Sequence, residues 1–301
     1  LFTLAGMEFK ILSGNREFYP FSSTHHLQWQ SPFFFVQAAD TQLGMIENYL
    51  EKKPNPKWDK EVLLCKKAIE KVNRMDPKPL FMVVCGDLVD AWPDHELRKD
   101  QERDFKKTFS ELHSDVPLVC VCGNHDVGNV PTEGSIDRFK SIFGDDFFSF
   151  WCSGCFFVVL NSQLLVDSSE VTEYAELQDR WLEEQLREAK RNNATHIIVF
   201  QHIPLFTDDA LEPDSYFNIP SKTRTSMLQT LSSYGVSHVF CGHYHRNAGG
   251  RAGDVEVVVT SAIGAQLGQD THGLRIVSVE KNEIRHQYFS LDDIPQKLSL
   301  L

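Results

Sequence analysis

No apolar run in this chain approaches the roughly 20 residues that span a bilayer, and no signal-peptide pattern opens it. Cationic excess is missing too: 42 Asp and Glu outweigh 30 Lys and Arg, for a formal net charge of −12. That argues against a sequence-independent nucleic-acid binder, which needs a basic patch to displace counterions. It leaves room for an anionic substrate, because bound cations reverse the local field. A disulfide scaffold is absent as well. The seven Cys (65, 85, 120, 122, 152, 155 and 241) are odd in number and scattered, as in a reducing compartment. No internal repeat, low-complexity tract or domain-splitting linker is visible. What remains is a globular protein, expected to be cytoplasmic, with neither a membrane nor a nucleic-acid partner. Its 301 residues, 42% hydrophobic and 24% charged, suffice for a large core.

What the chain does have is an alternation of apolar runs and amphipathic helices. Residues 1–31 are polar and aperiodic and read as an N-terminal arm, with those before Met7 as candidate tag residues. The folded domain is expected over 32–290 and a C-terminal tail over 291–301. Mostly apolar runs near 33–38, 80–85, 118–122, 195–200 and 236–241, the first all-apolar over 33–36, suit strands buried on both faces. Apolar residues recurring at three and four predict helices over 58–75, 97–113, 136–143, 173–191 and 221–234. Two further strands are expected at 146–151 and 156–160. The last 50 residues or so are different: 255–260, 274–279 and 284–289 are strand-like without intervening helices, which predicts an antiparallel section. Cys152-Ser153-Gly154-Cys155 has redox or zinc spacing. No second pair is near, however, and Gly154 between two apolar runs reads as a hairpin turn.

Five short polar stretches follow the buried runs: Ala39-Asp40-Thr41-Gln42, Gly86-Asp87-Leu88-Val89-Asp90, Gly123-Asn124-His125-Asp126, Gln201-His202-Ile203-Pro204 and Gly242-His243-Tyr244-His245. Ligands of open α/β sheets bind beyond the carboxyl ends of strands, where all five are expected. Singly, each has an ordinary reading as a turn or a structural histidine. Together they supply two carboxylates (Asp40, Asp87), two amide oxygens (Gln42, Asn124) and three imidazoles (His202, His243, His245). A mixed oxygen and nitrogen set without thiolate suits Mn²⁺, Fe or Mg²⁺, with Zn²⁺ also accommodated. Seven ligands exceed the needs of one transition metal and suit two, about 3.5–4 Å apart. Such a pair carries phosphate-ester hydrolysis, in which the leaving alkoxide needs a proton. His125, not needed as a ligand, is the natural general acid. Asp90 or Asp126 would orient it.

At these residues the chain resembles the calcineurin-like metallophosphoesterase superfamily, whose pattern is D-x-H, G-D-x-x-D, G-N-H-D/E, H and G-H-x-H. The likeness spans Asp40 to His245 and tightens in 144–151, 159–163, 199–206, 242–250 and 261–268. It implies a four-layer αββα sandwich of two mixed β-sheets flanked by helices, holding two divalent metal cations. By position, Asp40, Gln42, Asp87 and His245 would hold one. Asp87 would bridge to the second, held also by Asn124, His202 and His243. His125 would be the acid, and Asp90 falls where phosphoprotein phosphatases keep its carboxylate partner. The implied activity is a Ser/Thr-protein phosphatase acting on signalling phosphoproteins, as a monomer, by in-line attack of a metal-bridging hydroxide. The same core also serves nucleotide and cyclic-nucleotide phosphodiesterases and pyrophosphatases. Silent binding scaffolds of this fold typically lose ligand residues, whereas every position is filled here. Two departures stand out. Gln42 replaces the usual His, and Ala91-Trp92 stands where phosphoprotein phosphatases carry a phosphate-clamping Arg. Arg246, Asn247, Asn161 and His272 are candidates for that contact. Loop 206–222, with Asp208, Asp209, Glu212 and Asp214, reads as an acidic rim suited to basic residues around a phosphosite.

Overall fold

The computed structural model describes residues 8–299, so the candidate tag residues lie outside the described residues. In chain order the elements are β1 (Ser13–Gly14), β2 (Glu17–Phe18), β3 (Phe33–Ala38), α1 (Asp59–Asn73), β4 (Met82–Cys85), α2 (Arg98–Phe109), β5 (Leu118–Val121), α3 (Asn124–Val127), α4 (Glu133–Phe143), β6 (Phe148–Cys152) and β7 (Cys155–Val159). There follow α5 (Gln163–Val166), α6 (Thr172–Arg191), β8 (Ile197–Phe200), α7 (Ser221–Tyr234), β9 (Val236–Cys241), β10 (Ala248–Ala252), β11 (Val255–Val259), β12 (Gly273–Val279) and β13 (Ile284–Ser290).

The strands form two mixed sheets. The smaller runs β13-β12-β3-β4-β5 and the larger β1-β2-β6-β7-β8-β9-β11-β10. The mostly apolar runs β3, β4 and β5 lie parallel to one another in the small sheet, with β5 at its edge, and β8 and β9 lie parallel in the large one. Both of their faces are covered, which is why their sequences do not alternate. Phe35, Phe81, Phe157, Phe200 and Phe240 meet between the sheets. α1, α2 and α4 pack on the outer face of the small sheet, and α6 and α7 on that of the large one. The layers are therefore αββα, as the family likeness implies. The parallel strands of both sheets deliver all five polar stretches at their carboxyl ends.

The last strands do not form one antiparallel section. β11 pairs in parallel with β9 and carries β10 on its other side, within the large sheet. β12 and β13 join the small sheet, antiparallel to β3 and to each other. Arm residues from Glu8 onward are integrated. The β1–β2 hairpin extends the large sheet through β6. Arg16 locks it there, donating to Asp146 Oδ1 (2.9 Å), the Phe147 carbonyl (2.9 Å) and Tyr174 Oη (2.7 Å). In the tail, Leu291 and Ile294 enter the small-sheet core. Cys152 and Cys155 face each other across a two-residue hairpin turn, with φ of +50° at Ser153 and +77° at Gly154. All seven cysteines are buried and free.

Candidate metal centre

The polar stretches turn abruptly off their strands. Asp40, Gln42, Asp87, His243 and His245 all adopt left-handed φ, between +34° and +67°. For residues other than glycine this costs of order 1–3 kcal/mol each and persists only where surroundings impose it. Here the loops impose it on one another. Asp40 N donates to the Gly86 carbonyl (3.1 Å), Gln42 N to the Asp87 carbonyl (2.8 Å) and Gly242 N to the His202 carbonyl (3.0 Å). His243 N donates to the Asp40 carboxylate (2.9 Å) and His125 N to Asp87 Oδ1 (2.9 Å). Gly86 and Gly123 allow the close approach: a Cβ on the first would collide with the His202 ring, and on the second with the Asp87 carboxylate.

Each imidazole is fixed by a backbone carbonyl on one nitrogen and turns the other inward. His202 Nδ1 donates to the Cys85 carbonyl (2.8 Å), His243 Nε2 to the Tyr216 carbonyl (2.9 Å) and His245 Nδ1 to the Ala265 carbonyl (2.5 Å). This outer support is what metal-ligating histidines require. The inward atoms fall into two groups that share Asp87: Asp87, His202 and His243, and Asp40, Asp87 and His245, with ligand atoms within 4.8 Å of one another in each. Asn124 Oδ1 joins the first, 3.0 Å from His202 Nε2. Gln42 completes the picture. Its Nε2 donates to Asp90 Oδ1 (3.3 Å), while its Oε1 is buried without a hydrogen-bond partner. A buried amide oxygen without a hydrogen-bond donor is suited to a cation.

The electrostatics point the same way. Burial pushes the Asp40 carboxyl well above its usual range, against the pull of His202. Burial also acts upward on Asp87, but the charges of His202 and His125 prevail and hold it below that range. Burial lowers His202, yet Asp87 and Asp40 raise it to about 9. Burial and His202 together press His243 down to about 3. His245 is pressed to about 4, chiefly by burial. The neutral imidazoles of His243 and His245, with two crowded, desolvated carboxylates, form a cradle that divalent cations would relieve.

His125 stands beside this cradle, its side chain 17% exposed. The expected orientation by the Asp90 carboxylate is not what holds it. Its Nδ1 lies 2.5 Å from the Asp90 backbone carbonyl and 3.8 Å from the carboxylate. That carboxylate instead accepts from Asn48 Nδ2 (2.8 Å) and Gln42 Nε2. Asp126, the other candidate, is wholly buried and accepts from the backbone N–H groups of Gly123 (2.8 Å) and Leu88 (3.2 Å). It is a loop staple, its carboxyl pushed up to about 6 by burial against the opposing charge of Arg98.

Of the four candidate phosphate contacts, none hydrogen-bonds a residue of the cradle through its side chain among the described residues. Asn161 is buried against Asp146 and Gln178. Asn247 Oδ1 accepts from Arg275 Nη2 (2.9 Å). Arg246 donates to the carbonyls of Leu267 (2.5 Å) and Tyr244 (3.3 Å). His272 Nδ1 faces the Gly264 carbonyl (2.7 Å), on the loop beside Asp40. The acidic rim is also largely consumed inside its own loop. Glu212 accepts from Thr207 N, Asp208 N and Asn218 Nδ2, and Asp214 from Ser221 N. Three residues escaped sequence reasoning as contributors to the site. Trp92 stacks on His125, with ring centroids 4.2 Å apart. Tyr216 Oη accepts from Asn124 Nδ2 (3.0 Å). Arg98, 1% exposed, donates to the carbonyls of Ala91 (2.8 Å), His125 (2.6 Å) and Asp126 (3.1 Å). Trp92 was legible only as the replacement for an arginine.

Comparison with known proteins agrees with this geometry. The "Serine/threonine-protein phosphatase CPPED1" of Mus musculus is 45% identical over 279 residues, 92% of this chain and 89% of the mouse protein. Its Homo sapiens counterpart is 42% identical over 281 residues, 92% of this chain and 90% of that protein. Among solved structures, a dimetal phosphatase from Danio rerio superposes with a TM-score of 0.60 at 17% identity, over 85% of this chain and 99% of that one. The family model described as "Calcineurin-like phosphoesterase" matches residues 35–247, a span that begins in β3 and ends just past His245. With each of the family's five strand-end stretches present in order and gathered at one edge, the chain belongs to the calcineurin-like phosphoesterase family.

Proposed function

We propose that this protein is a metal-dependent Ser/Thr-protein phosphatase, as its relatives are named, working with two divalent cations. Mn²⁺ or Mg²⁺ are the favoured ions, because the neutral Gln42 oxygen is a hard ligand. The observation that carries the reading is a buried cradle of two donor groups that share Asp87, with the unpartnered Gln42 Oε1 two residues from Asp40. Asp40, Gln42, Asp87 and His245 would hold one cation, and Asp87, Asn124, His202 and His243 the other. When bound, the pair would polarise the phosphoryl oxygens and activate a water near neutral pH.

The chain's own residues do the rest. His125, with Nδ1 on the Asp90 carbonyl, presents Nε2 to the leaving serine or threonine oxygen and gives it a proton. Trp92 fixes the plane of that ring. Asp90 acts through its carbonyl on His125 and through its carboxylate on Gln42, which links the acid to the metal ligands. The seven free, buried cysteines support a reducing, cytoplasmic setting.

The test is turnover of phosphoserine and phosphothreonine peptides by Mn²⁺-loaded protein, beside ADP-ribose, cyclic nucleotides and a bis-aryl phosphate. Peptide turnover is expected to fall on chelation and to return with Mn²⁺. His125→Ala should lower kcat by about 10²–10⁴-fold with metal content unchanged. Turnover confined to the nucleotides would refute the protein-phosphatase reading, and unchanged kcat would remove His125 from the mechanism.

A further inference from the structure

A phosphomonoester arrives with close to two negative charges, and among the described residues no lysine or arginine is paired with the cradle's carboxylates to meet it. The electrostatic partners of Asp40 and Asp87 are histidines and carboxylates. The nearby arginines are committed. Arg246 donates to two carbonyls, Arg98 is buried on Glu102 and three carbonyls, and Arg275 serves Thr260, His286 and Asn247.

Tyr216 occupies the position they leave. It lies on the loop between β8 and α7, which Glu212 and Asp214 hold in shape from within. Two different atoms of Tyr216 touch the same half of the cradle. Its carbonyl accepts from His243 Nε2, and its Oη accepts from Asn124 Nδ2 at 3.0 Å. Its ring stands 5.0 Å from that of His243, yet the residue is 57% exposed. A phenol has one proton to donate besides its lone pairs. With the Asn124 amide donating to the oxygen, the O–H hydrogen is free to turn toward a phosphoryl group bound at the cradle.

We propose that Tyr216 is the phosphate-contacting residue of this site: its O–H donates to a non-bridging phosphoryl oxygen, in the role an arginine fills elsewhere. The proposal rests on the phosphatase reading above. A neutral donor holds phosphate by direction rather than by charge, so the product is released without breaking a guanidinium pair. The orientation comes from Asn124, so the same amide would serve a cation through Oδ1 and aim the phenol through Nδ2.

The test is Tyr216→Phe in the full chain loaded with Mn²⁺. Binding of inorganic phosphate is measured by calorimetry, metal content by mass spectrometry, and kcat/KM on a phosphoserine peptide. Phosphate binding should weaken about tenfold or more, as for loss of a hydrogen bond to a charged group. kcat/KM should fall at least as far, and metal content should match the wild type. Phosphate affinity within twofold of wild type would overturn the proposal. Loss of metal together with phosphate binding would overturn it too, by showing that Tyr216 acts only through Asn124. If the wild type turns over no phosphopeptide, the phosphatase reading fails, while the calorimetry still decides for or against Tyr216.

Discussion

Removing the Arg98 guanidinium should loosen the acid-bearing loop before it unfolds the protein. The side chain is 1% exposed and sits beneath the segment from Asn124 to Val127. It donates from Nη1 to the carbonyls of Ala91 and His125 and from Nη2 to that of Asp126, while Nε meets Glu102 Oε1 at 2.6 Å. In Arg98→Ala three buried carbonyls lose a charged donor, at about 1 kcal/mol or more each. Asp126 loses the opposing charge 3.7 Å away. Glu102 is not orphaned, because Arg138 grips it at 2.6 and 3.0 Å. The sum is about 4 kcal/mol, inside the roughly 3–5 kcal/mol range for a buried pair broken on one side. That is a large part of the roughly 5–15 kcal/mol typical of whole-protein stability. Urea denaturation at neutral pH measures it, and Arg98→Lys should recover about half. Turnover per folded molecule should drop about tenfold or more, because His125 and the Ala91-Trp92 turn lose their common anchor. A change below about 1 kcal/mol with wild-type turnover would refute this account of how His125 is positioned.

The remaining predictions concern the metal and the pH response. Gln42→Ala should weaken one of the two cations by about tenfold or more, and Gln42→His should tighten it by restoring an imidazole. Calorimetric titration of apoprotein with Mn²⁺ would show this, and two wild-type affinities in Gln42→Ala would refute it. Away from the centre, burial presses His238 down to about 4 against the pull of Glu256. The unfolded chain takes up that proton near pH 6.5, whereas the folded chain resists it until about 4. Stability should therefore fall as pH drops through that window, by up to about 1.4 kcal/mol per pH unit. His238→Gln should flatten this part of the profile of melting temperature against pH; equal steepness in both proteins would exclude His238 as a source.

The sequence discloses this molecule unevenly, for physical reasons. The runs leading to Asp40, Asp87, Asn124, His202 and His243 are largely buried on both faces, so they are mostly apolar and can be found without a partner in view. The helix 221–234 is placed to the residue. Sheet membership is different, because nothing local states which sheet a strand joins. β11, β12 and β13 look alike in sequence, but the first lies in one sheet and the others in the other. β10, Ala-Gly-Gly-Arg-Ala, is a half-exposed edge with no apolar signature at all. At the site, residue type is enough to nominate ligands but not to apportion work within a residue. Asp90 was nominated for its carboxylate and meets His125 with its carbonyl. Tyr216 and Trp92 come to the site by the folding of long loops, a tertiary matter without a local pattern.

The left-handed backbone at Asp40, Gln42, Asp87, His243 and His245 has a consequence for engineering. Each position would be relaxed by glycine, which has no side chain to oppose that conformation. A laboratory search for heat resistance, blind to activity, would therefore be drawn to the very residues that face the cations. Variants surviving it would be sturdier proteins with an emptied centre. Selection for durability in this chain needs a simultaneous demand for turnover, or it will dismantle the site first.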